Sequence, residues 1–385
     1  MLSRTADHLY WMARYIERAE NMARVLDVTY NMSLVPNAAE SEAALWVTAL
    51  DISGNVDAYE RDYFKKDGDE YTAAGVIHYL AMDENNPSSI YNALRSAREN
   101  AHAVRVAMTS ETWENINALW LEFSQFIGQD LAKNGLREFC DWVKARSHLF
   151  RGVCFGTMLR DDAFSFVRLG TFIERADNTA RLLDVKYHLL LPEQEEVGGA
   201  VDYYEWSAVL RSVSAFQAYQ KIYSDSIEPW RVAELLVLRR DMPRSLHACF
   251  DEITQILEQL SGTRQSECKR LAGELHAKLR FGKMRSIFQH GLHEFLDDFV
   301  KANNRDPLIM LLNIEHHTRY VYSESVNYTI QQLRLSPQNG FGQHVKRWDI
   351  KVAGALHPTE DAYGNSTHTL VIDKPHQEIL IVAQG

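Results

Sequence analysis

Residues 16–28 read IERAENMARVLDV, and residues 173–185 read IERADNTARLLDV. Both stretches open with Ile-Glu-Arg-Ala, carry an asparagine and a second arginine at matching places, and close on Leu-Asp-Val. Apolar residues recur in each at the three- and four-residue steps of an α-helix. One chain therefore carries the same charged helical motif twice, and this repetition guides the interpretation of the sequence around it.

Two further pairs of similar segments follow the motif in the same order. Trp46–Tyr63 resembles Trp206–Tyr223, with tryptophan, leucine, alanine and two tyrosines at matching places. The segment around Pro87 likewise resembles the segment around Pro243. Similarity at a nearly constant period indicates a tandem duplication. The sequence therefore predicts a mainly α protein whose body is a tandem-duplicated helical bundle.

Apolar periodicity and helix-start residues predict helices throughout this body. Pro87 and Pro243 suit the first turn of a helix, and Thr109, followed by a serine and an acid, suits another helix start. Strand-like alternation is missing from the region. In the first helix one apolar stripe is formed by Leu9, Met12, Ile16, Ala19, Ala23, Leu26 and Tyr30.

The composition changes near residue 306. Short β-branched or alternating runs follow, and Gly364–Asn365 provides a turn. Four of the nine prolines fall in this part: Pro307, Pro337, Pro358 and Pro375. The sequence predicts a small β-sandwich-like C-terminal region. The expected domains are residues 1–155 and 156–310 for the helical repeats and 311–385 for the β region.

Bulk composition excludes several classes of protein. The 385 residues are 46% hydrophobic and 24% charged, which is typical of a globular chain. A net charge of −11 leaves no global basic field for nucleic acid or an anionic membrane. No uncharged apolar run approaches a membrane span, and no signal peptide is expected. The cysteines form no CxxC pair, which fits a reducing compartment and predicts a cytoplasmic protein.

The repeated motif also supplies the candidate site. On a helical wheel Glu17, Asn21 and Arg24 share one face, with Glu20 beside them, whereas Arg18 lies among largely apolar neighbours. We consider three interpretations: a polar seam where the two copies meet, each arginine facing the other copy's acids; a ligand-binding or catalytic site; and a solvated face of weak ion pairs. The candidates are Glu17, Arg18, Asn21, Arg24, Glu174, Arg175, Asn178 and Arg181.

The sequence offers little sign of a metal, a cofactor or a nucleophile. Carboxylate-bridged metal bundles use Glu-x-x-His, which neither copy of the motif contains. His290 and His293, with Asp297 on about the same helical face, form a weak metal candidate. No glycine-rich phosphate-binding motif occurs, so we expect no cofactor, and a partner would bind any ATP that is used. The catalytic residues remain unknown.

Longer stretches resemble the bacterial alpha-E family, which is helical and is named for its glutamate-arginine motif. The resemblance rests on the two ER motifs, on GTMLRDDAFSFVRLGTFIERADNTARLLD at 156–184 and on SIFQHGLHEFLDDF at 286–299. It covers about residues 1 to 305. The family occurs with circularly permuted ATP-grasp proteins and transglutaminase-like proteins. The resemblance therefore implies amide-bond or peptide metabolism in bacteria, with those two proteins as partners.

The C-terminal region is similar to the N-terminal β region of bacterial transglutaminase-like proteins. In that family a papain-like domain with a Cys-His-Asp triad follows, whereas all four cysteines of this chain lie in the helical part. Because the sequence stops at Gly385, a longer natural protein is one expectation. The matching residues are His317, Thr318, Tyr320, Tyr322, Leu333, Arg334, Pro337, Gly364, Asn365, Pro375 and His376.

These observations favour a non-catalytic helical scaffold or accessory protein of an ATP-grasp amide ligase. Two alternatives stay open. The chain is either the substrate-binding part of a longer transglutaminase-like cysteine peptidase, or an enzyme that uses the paired Glu and Arg residues directly. Guanidinium groups bind carboxylates well, so the second alternative is chemically sound. The oligomeric state is not predicted.

Overall fold

The structure, a computed structural model, describes most of the chain. The described residues are 1, 3–34, 42–64, 70–189, 200–224, 226–261, 266–304, 314–337, 345–361 and 365–385. Pro307, Gly364 of the expected turn and the expected domain border at residues 310 and 311 lie outside them. The chain divides into two compact units, Arg4–Arg305 and Met1–Ser3 with Asp306–Gly385.

The first unit is helical. Its helices are α1 (Ser3–Ser33), α2 (Glu42–Ile52), α3 (Val56–Tyr63), α4 (Ala73–Ala81), α5 (Ile90–Ala103), α6 (Ser110–Phe123), α7 (Leu136–Thr157), α8 (Asp162–Leu189), α9 (Ala200–Ser212), α10 (Phe216–Tyr223), α11 (Pro229–Val237), α12 (Leu246–Ser261), α13 (Glu267–Phe281), α14 (Met284–His290) and α15 (Leu292–Asn303). The fold prediction, mainly α with a small C-terminal β region, is confirmed.

The helices recur in the order that a duplication would produce. A long helix carrying the ER motif, α1 or α8, opens each half, and α3 and α10 have eight residues each while α4 and α11 have nine. The expected border between residues 155 and 156 falls within the last turn of α7. The division into two repeat domains therefore remains a prediction from the sequence.

The long helices α1 and α8 lie against each other. The predicted stripe on α1 is buried from Leu9 to Leu26, while Tyr30 is partly exposed. On α8, Gly170 lies so near α1 that a Cβ atom added there would stand 2.2 Å from the Tyr10 carbonyl oxygen. This close approach of the two backbones brings the ER motifs within side-chain reach of each other.

Hydroxyl caps begin several helices as expected, but the two prolines act differently from the prediction. Ser89 caps α5 through the Asn92 N–H, and Thr109 caps α6 through the Thr112 N–H, each at 3.2 Å. Pro87 and Pro243 lie three residues before the first helical residues, Ile90 and Leu246. They therefore shape the approach to these helices rather than occupying the first turn.

The second unit contains two antiparallel three-stranded sheets, with strand orders β1-β6-β3 and β2-β5-β4. Its strands are β1 (Glu315–Val326), β2 (Thr329–Leu333), β3 (Asp349–Val352), β4 (Ala355–Glu360), β5 (Ser366–Ile372) and β6 (His376–Gln384). A single apolar cluster joins β2, β5 and β6, which belong to different sheets, so the sheets pack face to face. Its buried members are Leu333, Leu370, Ile372, Ile379 and Ile381.

Candidate functional site

The two copies of the ER motif exchange ion pairs between α1 and α8. Glu17 accepts two hydrogen bonds from Arg175, Nε to Oε1 at 2.9 Å and Nη2 to Oε2 at 3.0 Å. In the reciprocal pair, Glu174 accepts from Arg18, Nε to Oε1 at 2.5 Å and Nη2 to Oε2 at 3.0 Å. In each copy, the glutamate of the Glu-Arg dipeptide thus accepts a bidentate pair of hydrogen bonds from the arginine of the other copy's dipeptide. A pseudo-twofold axis between the helices relates the two pairs.

The first copy has further cationic neighbours that complete a cluster. We call Glu17, Glu20, Arg24, Arg151, Arg175 and Arg244 the Glu17–Glu20 cluster. Arg151 Nη1 on α7 donates to Glu17 Oε2 at 2.8 Å and to Glu20 Oε2 at 2.6 Å. Arg244, just before α12, donates to Glu17 at 3.0 Å and also contacts Glu20. Arg24 Nε donates to Glu20 Oε1 at 2.9 Å along α1, where the two residues are four apart.

Burial makes these contacts different from surface ion pairs. Glu17 and Glu20 are 1% and 0% exposed, so the solvated-face interpretation does not fit. Burial alone would raise the pKa of Glu17, but the charges of Arg175 and Arg244 hold it below its ordinary value. The pKa of Glu20 is lowered in the same way, against its own burial, by a hydrogen bond from His148 and the charge of Arg244. Both carboxylates are therefore ionised within the helical unit.

The second copy forms a smaller group. Arg14 Nε donates to Glu174 Oε2 at 2.7 Å, so two guanidinium groups share this carboxylate. Burial would raise the pKa of Glu174, but Arg18 and Arg14 lower it to about 2. Arg181 turns back to Asp177 at 2.9 Å on its own helix, and its side chain is 42% exposed. Asn178 lies half-buried on α8.

Charges in the Glu17–Glu20 cluster do not balance. Four guanidinium groups surround two carboxylates, and burial together with Arg175 and Arg24 lowers the pKa of Arg244 even though Glu17 and Glu20 raise it. Asn21 gives its Oδ1 to Arg244 at 3.2 Å. Its buried Nδ2 donates to no acceptor in the described part of the chain. Excess donors and positive charge are the chemistry that recognises a carboxylate or another anion.

Sequence reasoning missed Arg14, Arg151 and Arg244 as members of these groups. Arg244 lay in the third repeated segment, where the first copy has Ser88 at the matching place after proline. An arginine in the second copy where the first has a serine was a usable signal that the two copies differ at this place. Arg151 carried no such signal, because only the packing of α7 against α1 brings it to Glu17 and Glu20.

The two histidines of the predicted metal candidate are arranged differently from the prediction. Gly291, at φ 108°, ends α14 at His290 before α15 begins, so His290 and His293 do not share one helical face as expected. His290 is exposed, and a hydrogen bond with Asp184 at 2.7 Å raises the pKa of His293. Among the described residues, three atoms of types that can bind a metal lie close together instead in His247, Asp251 and His276.

All four cysteines are buried in the helical unit. Burial raises the pKa of the Cys154 and Cys249 thiols to about 12, and raises that of Cys140 still further. A thiol must lose its proton to act as a nucleophile. These three side chains are therefore protonated core residues at neutral pH.

The fold and site define a class: a helical protein whose two central helices exchange Glu–Arg pairs from a repeated motif. Residues 1–305 match the Alpha-E family, described as a predicted alpha-helical domain with a conserved ER motif, and the chain belongs to this family. Residues 312–385 match the bacterial transglutaminase-like N-terminal region. The expected fusion of these two regions is confirmed.

Several relatives align with much of this chain. Uncharacterized proteins of Mycobacterium bovis and of two strains of Mycobacterium tuberculosis are 26% identical to it over 301 residues. The alignment covers 72% of this chain, which spans about a third (32%) of the length of those relatives. No solved structure matches the chain.

In the described residues, no helix combines the length and apolar character needed to cross a membrane. The two regions associate the chain with transglutaminase-like systems.

Proposed function

We propose that this chain is a non-catalytic helical scaffold or accessory protein of an ATP-grasp amide-ligase system in peptide metabolism. The observation that carries the proposal is the mutual pairing of the ER motifs, in which Glu17 holds Arg175 and Glu174 holds Arg18. A substrate would have to break two bidentate pairs to reach the buried carboxylates of Glu17 and Glu174. Such a network is suited to fixing how two helices meet, which a scaffold requires.

Partners follow from the same proposal. A circularly permuted ATP-grasp protein would bind the nucleotide and form the amide, and a transglutaminase-like protein would act in the same system. The match of residues 312–385 to a transglutaminase-associated region supports the second partner. A cytoplasmic location fits ATP use and reduced cysteines.

The test is reconstitution with the ATP-grasp protein of the same genome. We expect the two purified proteins to co-elute as one complex, and ADP release with amide formation to require the ATP-grasp protein and increase when this chain is added. ADP release by this chain alone would contradict the scaffold. The failure of the two proteins to associate or to affect each other would contradict the proposed partnership.

Arginine substitutions separate a scaffold from an enzyme. Arg18→Gln and Arg175→Gln remove one interhelical fork each, whereas Arg95→Gln removes an exposed pair with Glu99 and serves as the control. For a scaffold we expect the two motif variants to lose stability or complex formation while the control does not. A folded, complex-forming variant that has lost turnover by the isolated chain would instead support an enzyme.

A second candidate function, direct binding of a substrate carboxylate, is favoured by the unbalanced charge of the Glu17–Glu20 cluster. Arg151 is the partly exposed member, with 26% of its side chain accessible. Acetate is a minimal probe: direct binding predicts that it raises the melting temperature of the full chain and that Arg151→Gln removes the rise. A scaffold without such a site predicts the same melting temperature with and without acetate.

The remaining alternative, a substrate-binding part of a longer transglutaminase-like peptidase, is tested by the mass of the natural polypeptide. An antibody against the helical unit would detect it in the source cells. A band well above the 44.3 kDa of this sequence would favour the peptidase. A band at that mass would favour the separate scaffold.

A further inference from the structure

Helices α12 and α13 place two imidazoles and a carboxylate around one point, away from the ER motifs. His247 and Asp251 stand four residues apart on α12, and therefore on one face. His276 reaches the same carboxylate from α13: its Nε2 lies 2.5 Å from Asp251 Oδ1, and His247 Nε2 lies 3.7 Å from that oxygen. The three potential ligand atoms all lie within 4.8 Å of one another.

A backbone contact fixes which nitrogen His247 presents to this point. Its Nδ1 lies 2.8 Å from the Leu238 carbonyl oxygen. A carbonyl oxygen can only accept, so Nδ1 donates to Leu238, and it is Nε2 that lies toward Asp251. Metal-ligating histidines are commonly oriented by such a hydrogen bond from the other ring nitrogen. An ion bound between His247 Nε2 and Asp251 Oδ1 would use both atoms as ligands.

We propose that His247, Asp251 and His276 bind a divalent transition-metal ion of the zinc type. Two imidazoles and one carboxylate are a ligand set that zinc uses in open, three-residue sites. Ligand atoms of a tetrahedral zinc site lie about 3.4 Å apart, given bonds of about 2.1 Å. The His276–Asp251 contact opens by about 1 Å to reach that geometry, a shift that side-chain rotation supplies.

The carboxylate is prepared for this role. Arg240 Nε donates to Asp251 Oδ2 at 2.5 Å, which leaves Oδ1 directed at the two histidines. The side chains of His247, Asp251 and His276 are 9%, 15% and 18% exposed. The ligands are thus mostly shielded yet accessible to an ion.

One side of the site opens into a cavity of about 390 Å³ between α12 and α13. Asp251 and His276 line it, together with the cationic side chains Arg240, Lys269 and Arg280. A metal held by three protein ligands keeps at least one position for another ligand. A position left open on the side of Asp251 and His276 would face the cavity, where Arg240, Lys269 and Arg280 outnumber Glu258 and would suit a small anion.

The first experiment is calorimetric titration of the metal-free, untagged full chain with Zn²⁺, followed by Co²⁺ absorption spectroscopy. We expect one tight site per chain, with Co²⁺ bands typical of four or five nitrogen and oxygen ligands. His276→Ala and Asp251→Asn should each weaken binding at least about 100-fold, since loss of even a supporting contact costs 10–100-fold. His290→Ala, which removes an exposed histidine, should bind Zn²⁺ like the unaltered chain.

Two results would overturn the metal site: no Zn²⁺ binding by the folded chain, or unchanged affinity in folded His276→Ala. If His276→Ala or Asp251→Asn does not fold, His276→Gln keeps a polar side chain of similar reach and decides by the same titration. Azide, a small anion that binds open coordination positions, should shift the Co²⁺ bands. An unchanged Co²⁺ spectrum in azide would overturn the open position toward the cavity.

Discussion

At Glu17, a single carboxylate accepts hydrogen bonds from Arg175, Arg151 and Arg244, which belong to three different parts of the chain. Burial removed most of the hydration of Arg175 and Arg244 and part of that of Arg151, and the carboxylate replaces much of what was lost. Removing one partner from a buried ion network destabilises the fold far more than replacing the whole network by apolar residues, because the remaining charges stay buried. The Glu17 side chain therefore stabilises the fold chiefly because, without it, these guanidinium groups would remain buried with less opposite charge beside them.

Glu17→Gln keeps the shape of the side chain but removes its charge. We expect the free energy of unfolding to fall by about 3–5 kcal/mol, the usual cost of leaving buried charges unpaired. Urea unfolding of the full chain measures it. Glu99→Gln, in the exposed pair with Arg95, is the matched control and should change stability little. Equal effects of the two substitutions would contradict the assignment of a buried ion network.

Acid should weaken the fork at Glu174. Its pKa is about 2 in the folded chain and about 4.5 when unfolded, so its contribution is full above pH 4.5 and disappears as pH falls toward 2. The shift corresponds to about 3 kcal/mol. We expect the unfolding free energies of the unaltered chain and Glu174→Gln to converge between pH 4.5 and 2. A difference that stays constant over this range would show that Glu174 is not held ionised by Arg18 and Arg14.

The thiols should be unreactive in the folded chain. Burial raises the pKa of Cys154 and Cys249 to about 12, which leaves very little thiolate at pH 8. We expect a disulfide reagent such as dithionitrobenzoate to label none of the four cysteines in minutes, and all four in urea. Rapid labelling of one cysteine in the folded chain would reveal an accessible thiolate and reopen the search for a nucleophile.

At the scale of elements, the approach of α1 to α8 sets the geometry of the ER pairs. Side-chain forks span a short distance, so both helices must lie close over the length of the motif. Gly170 permits this approach, because its missing side chain leaves room for the Tyr10 carbonyl and Ala13. Gly170 lies just before the second ER motif in sequence, but the need for a glycine there comes from the close approach of α1.

Gly170→Ala should therefore push α8 away from α1. We expect a loss of about 1–3 kcal/mol in the free energy of unfolding, as for other overpacked interiors. Gly152→Ala on α7, where an added Cβ meets nothing within 4 Å, is the control and should gain about 0.5–1 kcal/mol from helix propensity. Stabilisation by both alanines would contradict the close helix contact.

At the scale of the whole molecule, each compact unit has its own apolar interior. In the β unit, Leu370 on β5 is fully buried between the two sheets, and Ile330 on β2 is 59% exposed. The apolar side chains inside this small core should therefore hold the two sheets together.

Leu370→Ala should destabilise the β unit by about 2–5 kcal/mol, since it removes buried methyl groups and leaves a cavity. Hydrogen exchange of the amides in β5 and β6 of the full chain would report the loss directly. Ile330→Ala replaces a mostly exposed side chain and should alter exchange much less. Equal protection of these amides in the two variants would mean that Leu370 is not a core residue.

The sequence by itself determined the helices, the repeated order and the β region, because periodicity, caps and turns act over a few neighbouring residues. It also placed Glu17, Asn21 and Arg24 on one face of α1, since that requires only helical geometry. The tertiary structure alone decided that Arg14, Arg151 and Arg244 join the ER residues, and that His247 and Asp251 meet His276. These groupings depend on distances between helices far apart in sequence, which the packing of the helical unit sets and local patterns do not encode.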